Sequence, residues 1–181
     1  MTGRKQTAKK KHLIREATEA DLPVMVEFLA KLALHVAGAA PQSLKEDERE
    51  RLLAVLRASL TDHNKQLVVA EVPRAGLVGM GYIYVLCSQG IWEQTSDVEF
   101  RSGIIDDVWV EPEFRNLGIF PDLLRKLVAF ADSRGAYELV LEYSASNREA
   151  KRAWSRMGFK TVGVRAAAFT SSVQEALASR P

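Results

Sequence analysis

A single cysteine, Cys87, and three histidines, His12, His35 and His63, are all the thiol and imidazole metal ligands that 181 residues provide. One thiol cannot staple the chain to itself, and the histidines lack metal-ligand spacing, which argues against structural zinc and against Cys–His nucleophilic catalysis. Cys87 follows the apolar run Tyr82-Ile83-Tyr84-Val85-Leu86, so a small buried thiol is the plain reading. Long apolar runs are missing too. No window reaches the roughly 18 apolar residues of a membrane span, and the N-terminal segment leads into Leu13-Ile14-Arg15-Glu16-Ala17 instead of the apolar stretch of a secretory signal. The expectation is a soluble, cytoplasmic protein. There is no Gly-x-Gly-x-x-Gly and no Gly-Lys-Ser/Thr after a strand, which removes the dinucleotide and P-loop classes.

Acidic residues are absent from the first twelve positions, where Arg4, Lys5, Lys9, Lys10 and Lys11 stand. Without those five, 20 basic residues face 23 acidic ones, so the formal charge of +2 belongs to a tail and the body is slightly acidic. Residues 1–12 therefore read as a disordered, solvated basic tail. Nucleic-acid binding needs a basic face on the folded part as well, and the body offers none. With 47% hydrophobic and 27% charged residues, residues 13–181 are enough for one domain with a sizeable core.

Leu13 to Arg15 reads as a short strand. Thr18-Glu19-Ala20-Asp21 carries the hydroxyl and acids of a helix start, and Leu22, Met25, Val26, Leu29, Leu32 and Val36 then recur at helical spacing up to Gly38 and Pro41. Ser43-Leu44-Lys45-Glu46 repeats the capping pattern ahead of Leu52, Leu53, Leu56 and Leu60. Gln66–Val72 and Leu77–Leu86 flank Pro73-Arg74-Ala75-Gly76, the residues of a tight turn, and form a hairpin. The polar stretch 88–102 is a loop, followed by a strand at Ile104–Val110 and a helix at Pro121–Ser133 stopped by Gly135. Tyr137–Tyr143 is a further strand. Ser146-Asn147-Arg148-Glu149 caps a helix with Ala150, Ala153, Trp154 and Met157 on its apolar side, Gly158 ends it, and Phe159–Val164 is a last strand. This order argues for one mixed α/β sheet.

Chemistry concentrates in Arg115-Asn116-Leu117-Gly118-Ile119-Phe120, between a strand end and a helix start, where free amides and the positive end of a helix dipole collect. A glycine there lets the backbone wrap a phosphate, and Arg115 adds charge beside it. The run from Asp106 to Ile119 resembles the strand and Arg/Gln-x-x-Gly-x-Gly/Ala loop of the GNAT superfamily. Leu141, Asn147, Ala150, Trp154 and Gly158-Phe159 fall at the spacing of that family's second block, and Ile14-Arg15-Glu16-Ala17-Thr18 with Asp21-Leu22 resembles its start. The resemblance spans roughly residues 13 to 164.

It implies a single-domain GNAT fold, with a mixed twisted sheet of six to seven strands flanked by about four helices. It also implies acetyl-CoA as co-substrate, the pantetheine arm lying between strands 104–110 and 137–143 against Val108, Trp109 and Val110, and the pyrophosphate at Arg115, Asn116, Leu117, Gly118, Ile119 and Phe120. A primary amine of a small molecule or peptide attacks the thioester directly, which asks for positioning, a base and a proton source. Asp106 and Asp107 are the candidates for the base, on opposite faces by alternation. The resemblance favours Asp106; the alternative is a structural carboxylate. Asn147 either contacts the coenzyme or caps its helix.

Two positions depart from the pattern. Phe120 stands where the loop's last Gly/Ala belongs, followed by Pro121, which has no N–H to give. Trp154 stands where many members have a tyrosine that protonates the thiolate, and an indole N–H is not a usable acid. Trp154 then reads as a core residue and a wall of the thioester pocket, with Tyr143 or a water as substitute acid. The alternative to an enzyme is a catalytically degraded GNAT-fold protein that binds acyl-CoA or regulates. No metal is implied. Dimers are common in the family, and the stretch from Ala166 to Pro181 is long enough to join one.

Overall fold

Strands β1 (Leu13–Glu16), β2 (Lys65–Val72), β3 (Gly76–Cys87), β4 (Arg101–Val110) and β5 (Glu138–Leu141) form one sheet in that order. The computed structural model describes residues 12–40, 42–87, 100–163 and 166–178. Three of the four pairings are antiparallel and the last, β4 with β5, is parallel, so the sheet is mixed. Helices α1 (Leu22–Ala37), α2 (Glu46–Thr61) and α3 (Ile119–Ser133) accompany it. The chain divides into two compact units at Glu142–Tyr143, the second holding α4 (Arg148–Arg156) and α5 (Thr170–Ala178).

Alternation along the strands sorts the core into two layers. Leu67, Val69, Met80, Tyr82 and Trp109 pack with Leu22, Met25, Val26 and Phe28 of α1 and Leu56 of α2. The opposite face meets α3, whose Leu123 and Leu127 are fully buried. Two glycines set how closely α3 lies on the sheet. A Cβ at Gly81 would stand 3.1 Å from Leu127, and one at Gly103 would stand 2.9 Å from Leu139 and 3.0 Å from Ala131. Side chains buried to this degree each contribute roughly 1.5–3 kcal/mol.

The α1 entrance is fixed by charge. Asp21 is buried and takes both Nη atoms of Arg15, at 2.7 and 2.9 Å, along with the Thr18 N–H and hydroxyl. Thr18 and Asp21 thus form the capping box that the sequence announces, around a single 3-10 turn at Glu19–Asp21, with α1 itself starting at Leu22. Gly38, at φ +63°, ends the helix.

Several boundaries differ from the sequence reading. The cap of α2 is Lys45, with Glu48 turned back to its N–H, because Ser43 stands two residues too early. β4 begins at Arg101, since Arg101–Gly103 already pair with Cys87–Val85; the rest of the expected loop, 88–99, lies outside the described residues. Helix α3 begins at Ile119 and not at Pro121, and β5 is shorter than Tyr137–Tyr143. Residues 159–163 form no strand: a strand is defined by its ladder, and these make none among the described residues. Val164 lies outside them. The sheet accordingly has five described strands where six or seven were expected, and α5 adds a fifth helix where only a tail was read.

Candidate active site

β4 changes character at one inserted residue. Ser102 to Ile105 pair with β3 on one side and with Glu138 to Leu141 of β5 on the other. The register against β3 then slips, with Ile105 opposite Ile83 but Asp107 opposite Tyr82, so Asp106 is a bulge. Pairing with β5 stops at Ile105–Leu141 while β4 runs on to Val110. From Asp106 to Val110 the strand therefore keeps one neighbour and turns its other edge, a row of alternating main-chain donors and acceptors, away from any described strand.

The bulge also breaks the alternation on which the two aspartates were assigned to opposite faces. By register Asp107 stands opposite Tyr82, on the side of α1 and α2, and Asp106 is the extra residue beside it. Neither carboxylate has a hydrogen-bond or salt-bridge partner among the described residues. Burial pushes the half-buried Asp107 carboxyl up to about 6, with the charge of Asp106 as second cause. Asp106 is raised as well, by burial and then by Glu142, the residue following β5. The Tyr84 phenol on β3 is raised by burial first and by Asp106 second. Asp106 thus acts on Asp107 and Tyr84, and Glu142 acts on Asp106 and Tyr84, where β4 and β5 part.

Tyr84 and Glu142 were missed in the sequence. The repeat Tyr82-Ile83-Tyr84 was visible, but only the register of β3 on β4 brings it to the aspartates, and register does not show in one chain's composition. The Tyr82 and Tyr84 rings lie 5.9 Å apart.

Beyond Val110 the chain makes a 3-10 turn at Pro112–Phe114 and enters the loop. Asn116 (φ +61°) and Gly118 (φ +84°) are both left-handed, a conformation that turns successive amides to one side, and Gly118 is the N-cap of α3. The first bond of the helix runs from the Asp122 N–H to the Gly118 carbonyl at 3.3 Å. The Gly118 and Ile119 amides precede that ladder, at the positive end of the helix dipole. Pro121 is the third helical residue, where an N–H has no intrahelical acceptor, so the proline takes nothing from the helix. Phe120 is half-buried and Leu117 is exposed.

Arg115 braces this loop against the strand. Its Nε donates to the Val110 carbonyl at 3.1 Å and its guanidinium lies 5.1 Å from the Trp109 ring centre. Trp109 is otherwise committed to the core: its ring meets His35 of α1 edge-on at 5.8 Å and its Nε1 donates to Glu111 at 3.3 Å, while Glu111 pairs with Lys31. What Trp109 presents along the strand edge is main chain. Asp122 in the first turn of α3 holds His12 at 2.9 Å and Arg125.

Tyr143, Asn147 and Trp154 lie in the second unit. Asn147 is the N-cap of α4, its side chain accepting from the Ala150 N–H at 2.9 Å, which is the capping alternative left open by the sequence. Trp154 meets Phe159 edge-on at 5.3 Å. Gly158, at φ +94°, closes the helix end between them. Among the described residues no group of three or more His, Cys, Asp or Glu side chains is positioned to hold a metal ion, and no helix is long and apolar enough to cross a membrane.

The model of the acetyltransferase (GNAT) family matches residues 30–159. Streptothricin acetyltransferase from Streptomyces lavendulae is 38% identical over 71 residues, which is 39% of this chain and 38% of that protein's own length. Among solved structures, a transcriptional regulator from Bacillus halodurans superposes with a TM-score of 0.70 at 23% identity, over 87% of this chain and 99% of that one. A predicted acetyltransferase with acetyl-CoA from Clostridium acetobutylicum gives 0.69 at 20% identity, over 89% and 97%. Glucosamine-6-phosphate N-acetyltransferase from Arabidopsis thaliana gives 0.64 at 18% identity, over 88% and 98%. These likenesses establish the α/β fold.

Proposed function

Taking as premise that the chain belongs to the GNAT acetyltransferase family, we propose that it transfers the acetyl group of acetyl-CoA to a primary amine of a small molecule or peptide. The observation that carries this reading is the parting of β4 from β5 after Ile105–Leu141, with two unpartnered carboxylates at the parting point. An amide-bearing pantetheine arm suits the unpaired main-chain edge from Asp106 to Val110. A pyrophosphate suits the left-handed turn at Asn116–Gly118 and the first amides of α3. In this reading the cradle is made by the Gly118 and Ile119 amides, ahead of Phe120 and Pro121, and the space over Gly118 is open, with nothing within 4 Å of an added Cβ.

Acetyl-CoA supplies an activated thioester. The chain's part is to take a proton from the incoming ammonium and hold the resulting amine in line. Asp107, with its carboxyl near 6, is mostly ionised at neutral pH and still basic enough to accept that proton directly or through one water. Burial keeps it there, with repulsion from Asp106 as the second cause. As the amine nitrogen bonds to the carbonyl carbon, the carbon–sulfur bond breaks and the thiolate leaves. Tyr143 or a water is our candidate for returning a proton to the sulfur. We place the reaction in the cytoplasm. Thiol release measured over a panel of primary amines tests the reading. Turnover of at least one amine, with an activity limb rising through about pH 6, is expected. Acetyl-CoA binding without turnover of any amine overturns it in favour of an acyl-CoA-binding regulator.

A further inference from the structure

His12, the residue ahead of β1, is tied to the first turn of α3. Its imidazole is 7% exposed and lies 2.9 Å from the Asp122 carboxylate, which is 10% exposed and also holds Arg125. The same Asp122 makes the first bond of the helix, its N–H donating to the Gly118 carbonyl. One residue therefore closes the turn at Asn116–Gly118 with its main chain and grips the entrance to β1 with its side chain. Four residues of helix rise about 6 Å, so His12 is held about one helical turn from Gly118.

The three residues that lead into His12 are Lys9, Lys10 and Lys11, with Arg4 and Lys5 further ahead and no acid among positions 1–11. An extended residue spans at most about 3.6 Å, so connectivity alone keeps Lys9 within about 11 Å of His12. The wall of α3 beside the His12–Asp122 pair carries Arg125 and Lys126. Cations gathered at one place repel one another unless an anion comes between them.

The reading of the neighbouring loop supplies that anion. Acetyl-CoA carries, besides its pyrophosphate, a 3′-phosphate monoester with a charge of about −1.5 to −2 at neutral pH. The Gly118 and Ile119 amides suit the pyrophosphate, and both arginines here are engaged: Arg115 with the Val110 carbonyl and the Trp109 ring, Arg125 with Asp122. We propose that Lys9, Lys10 and Lys11 hold the 3′-phosphate of acetyl-CoA, with His12 on Asp122 as the positioning residue that keeps them beside the loop. The proposal rests on the coenzyme reading of that loop. Lysine suits the task as a point charge that needs no fixed geometry, and the anchor raises its local concentration at the phosphate.

Calorimetric titration of the full chain with acetyl-CoA and with 3′-dephospho-acetyl-CoA, at low ionic strength and at about 1 M salt, tests the proposal. The parent prefers acetyl-CoA at low salt by about tenfold, and the preference shrinks at high salt, where exposed charges are screened. Replacing the three lysines together, Lys9→Gln, Lys10→Gln and Lys11→Gln, weakens acetyl-CoA by about tenfold and leaves the dephospho form within about twofold, with thermal unfolding unchanged. His12→Ala keeps the lysines but releases them, and weakens acetyl-CoA alone by about threefold. If His12→Ala fails to fold, the triple variant decides. A parent that binds neither form removes the coenzyme reading and this proposal with it. With the parent binding, this proposal alone is overturned if the two forms bind equally, if the triple variant binds acetyl-CoA as the parent does, or if it loses both forms in proportion.

Discussion

The two halves of β4 lie in one strand, yet they are held in different ways. Arg101 to Ile105 is held from both sides, is closely packed through Gly103 against Leu139 and Ala131, and buries Ser102 and Ile105. Asp106 to Val110 is held from one side and starts with two acids that have no partner among the described residues. A single bulged residue separates them. A sheet cannot offer main-chain groups to a ligand where its own ladder uses them, so a strand that is to hold a substrate must lose a neighbour without losing its place. The doubly paired half supplies that fixed place, and the singly paired half is left with unused hydrogen bonds.

If the halves divide the work in this way, the largest effect comes from the chemical one. Asp107→Asn should lower kcat by about 10²- to 10³-fold, the range of a positioned general base, while acetyl-CoA affinity stays within about twofold. A variant whose turnover is within threefold of the parent would sink the assignment of Asp107 as base. Substitution in the other half should do the converse. Gly103→Ala places a methyl 2.9 Å from Leu139 and 3.0 Å from Ala131, and overpacking of this kind costs about 1–3 kcal/mol of stability. Urea unfolding should record that loss with kcat nearly unchanged; equal losses in both would mean that the halves are not separable.

The division was partly legible in the sequence. Alternation and capping residues gave β2, β3, α1 and the core positions Leu22, Met25 and Val26, because these depend on neighbours a few residues away. The turn into α3 was legible because a glycine marks a left-handed position, here Gly118 at φ +84°. The bulge at Asp106 was not, since it exists only in the register between β3 and β4. Alternation without the bulge sent Asp106 and Asp107 to opposite faces and hid Tyr84 altogether. Phe159–Val164 failed for a related reason: apolar spacing marks a segment that suits a strand but not whether another strand lies beside it.

Further along the chain, the singly paired half continues into the left-handed turn, and Gly118→Ala probes that turn alone. No atom lies within 4 Å of the added methyl, so packing is untouched and the cost is the conformation at φ +84°, about 1 kcal/mol. Acetyl-CoA affinity should fall by roughly fivefold as the amides at Gly118 and Ile119 lose their alignment. A dephosphorylated pantetheine fragment should bind as before. If the fragment weakens equally, the turn is shaping the strand edge and not the phosphate site.

The smallest expected effect compares two aspartates of the same unit. Asp21 is buried against Arg15 and its carboxyl is drawn down to about 2, by the Arg15 hydrogen bonds first. Asp107 is half-buried without a cation and is pushed up to about 6 from an ordinary 3.8. The two must therefore tilt stability in opposite directions. A lowered folded-state value means that Asp21 adds stability at every pH above the unfolded value, and that this is lost as pH falls towards 2. A raised one means that the folded protein holds its proton on Asp107 more tightly than the unfolded chain does, so stability declines as pH rises from about 4 to about 6 and stays lower above it. Asp107→Asn cannot ionise and escapes that decline. It should be more stable than the parent at pH 7.5 by about 1 kcal/mol after allowance for solvent screening, with the advantage shrinking at pH 4.5. Asp21→Asn should be less stable at both. Urea unfolding at the two pH values reads all four differences. An Asp107→Asn advantage that does not grow with pH would show that this carboxyl is not held near 6, and that the singly paired half of β4 carries no strained acid.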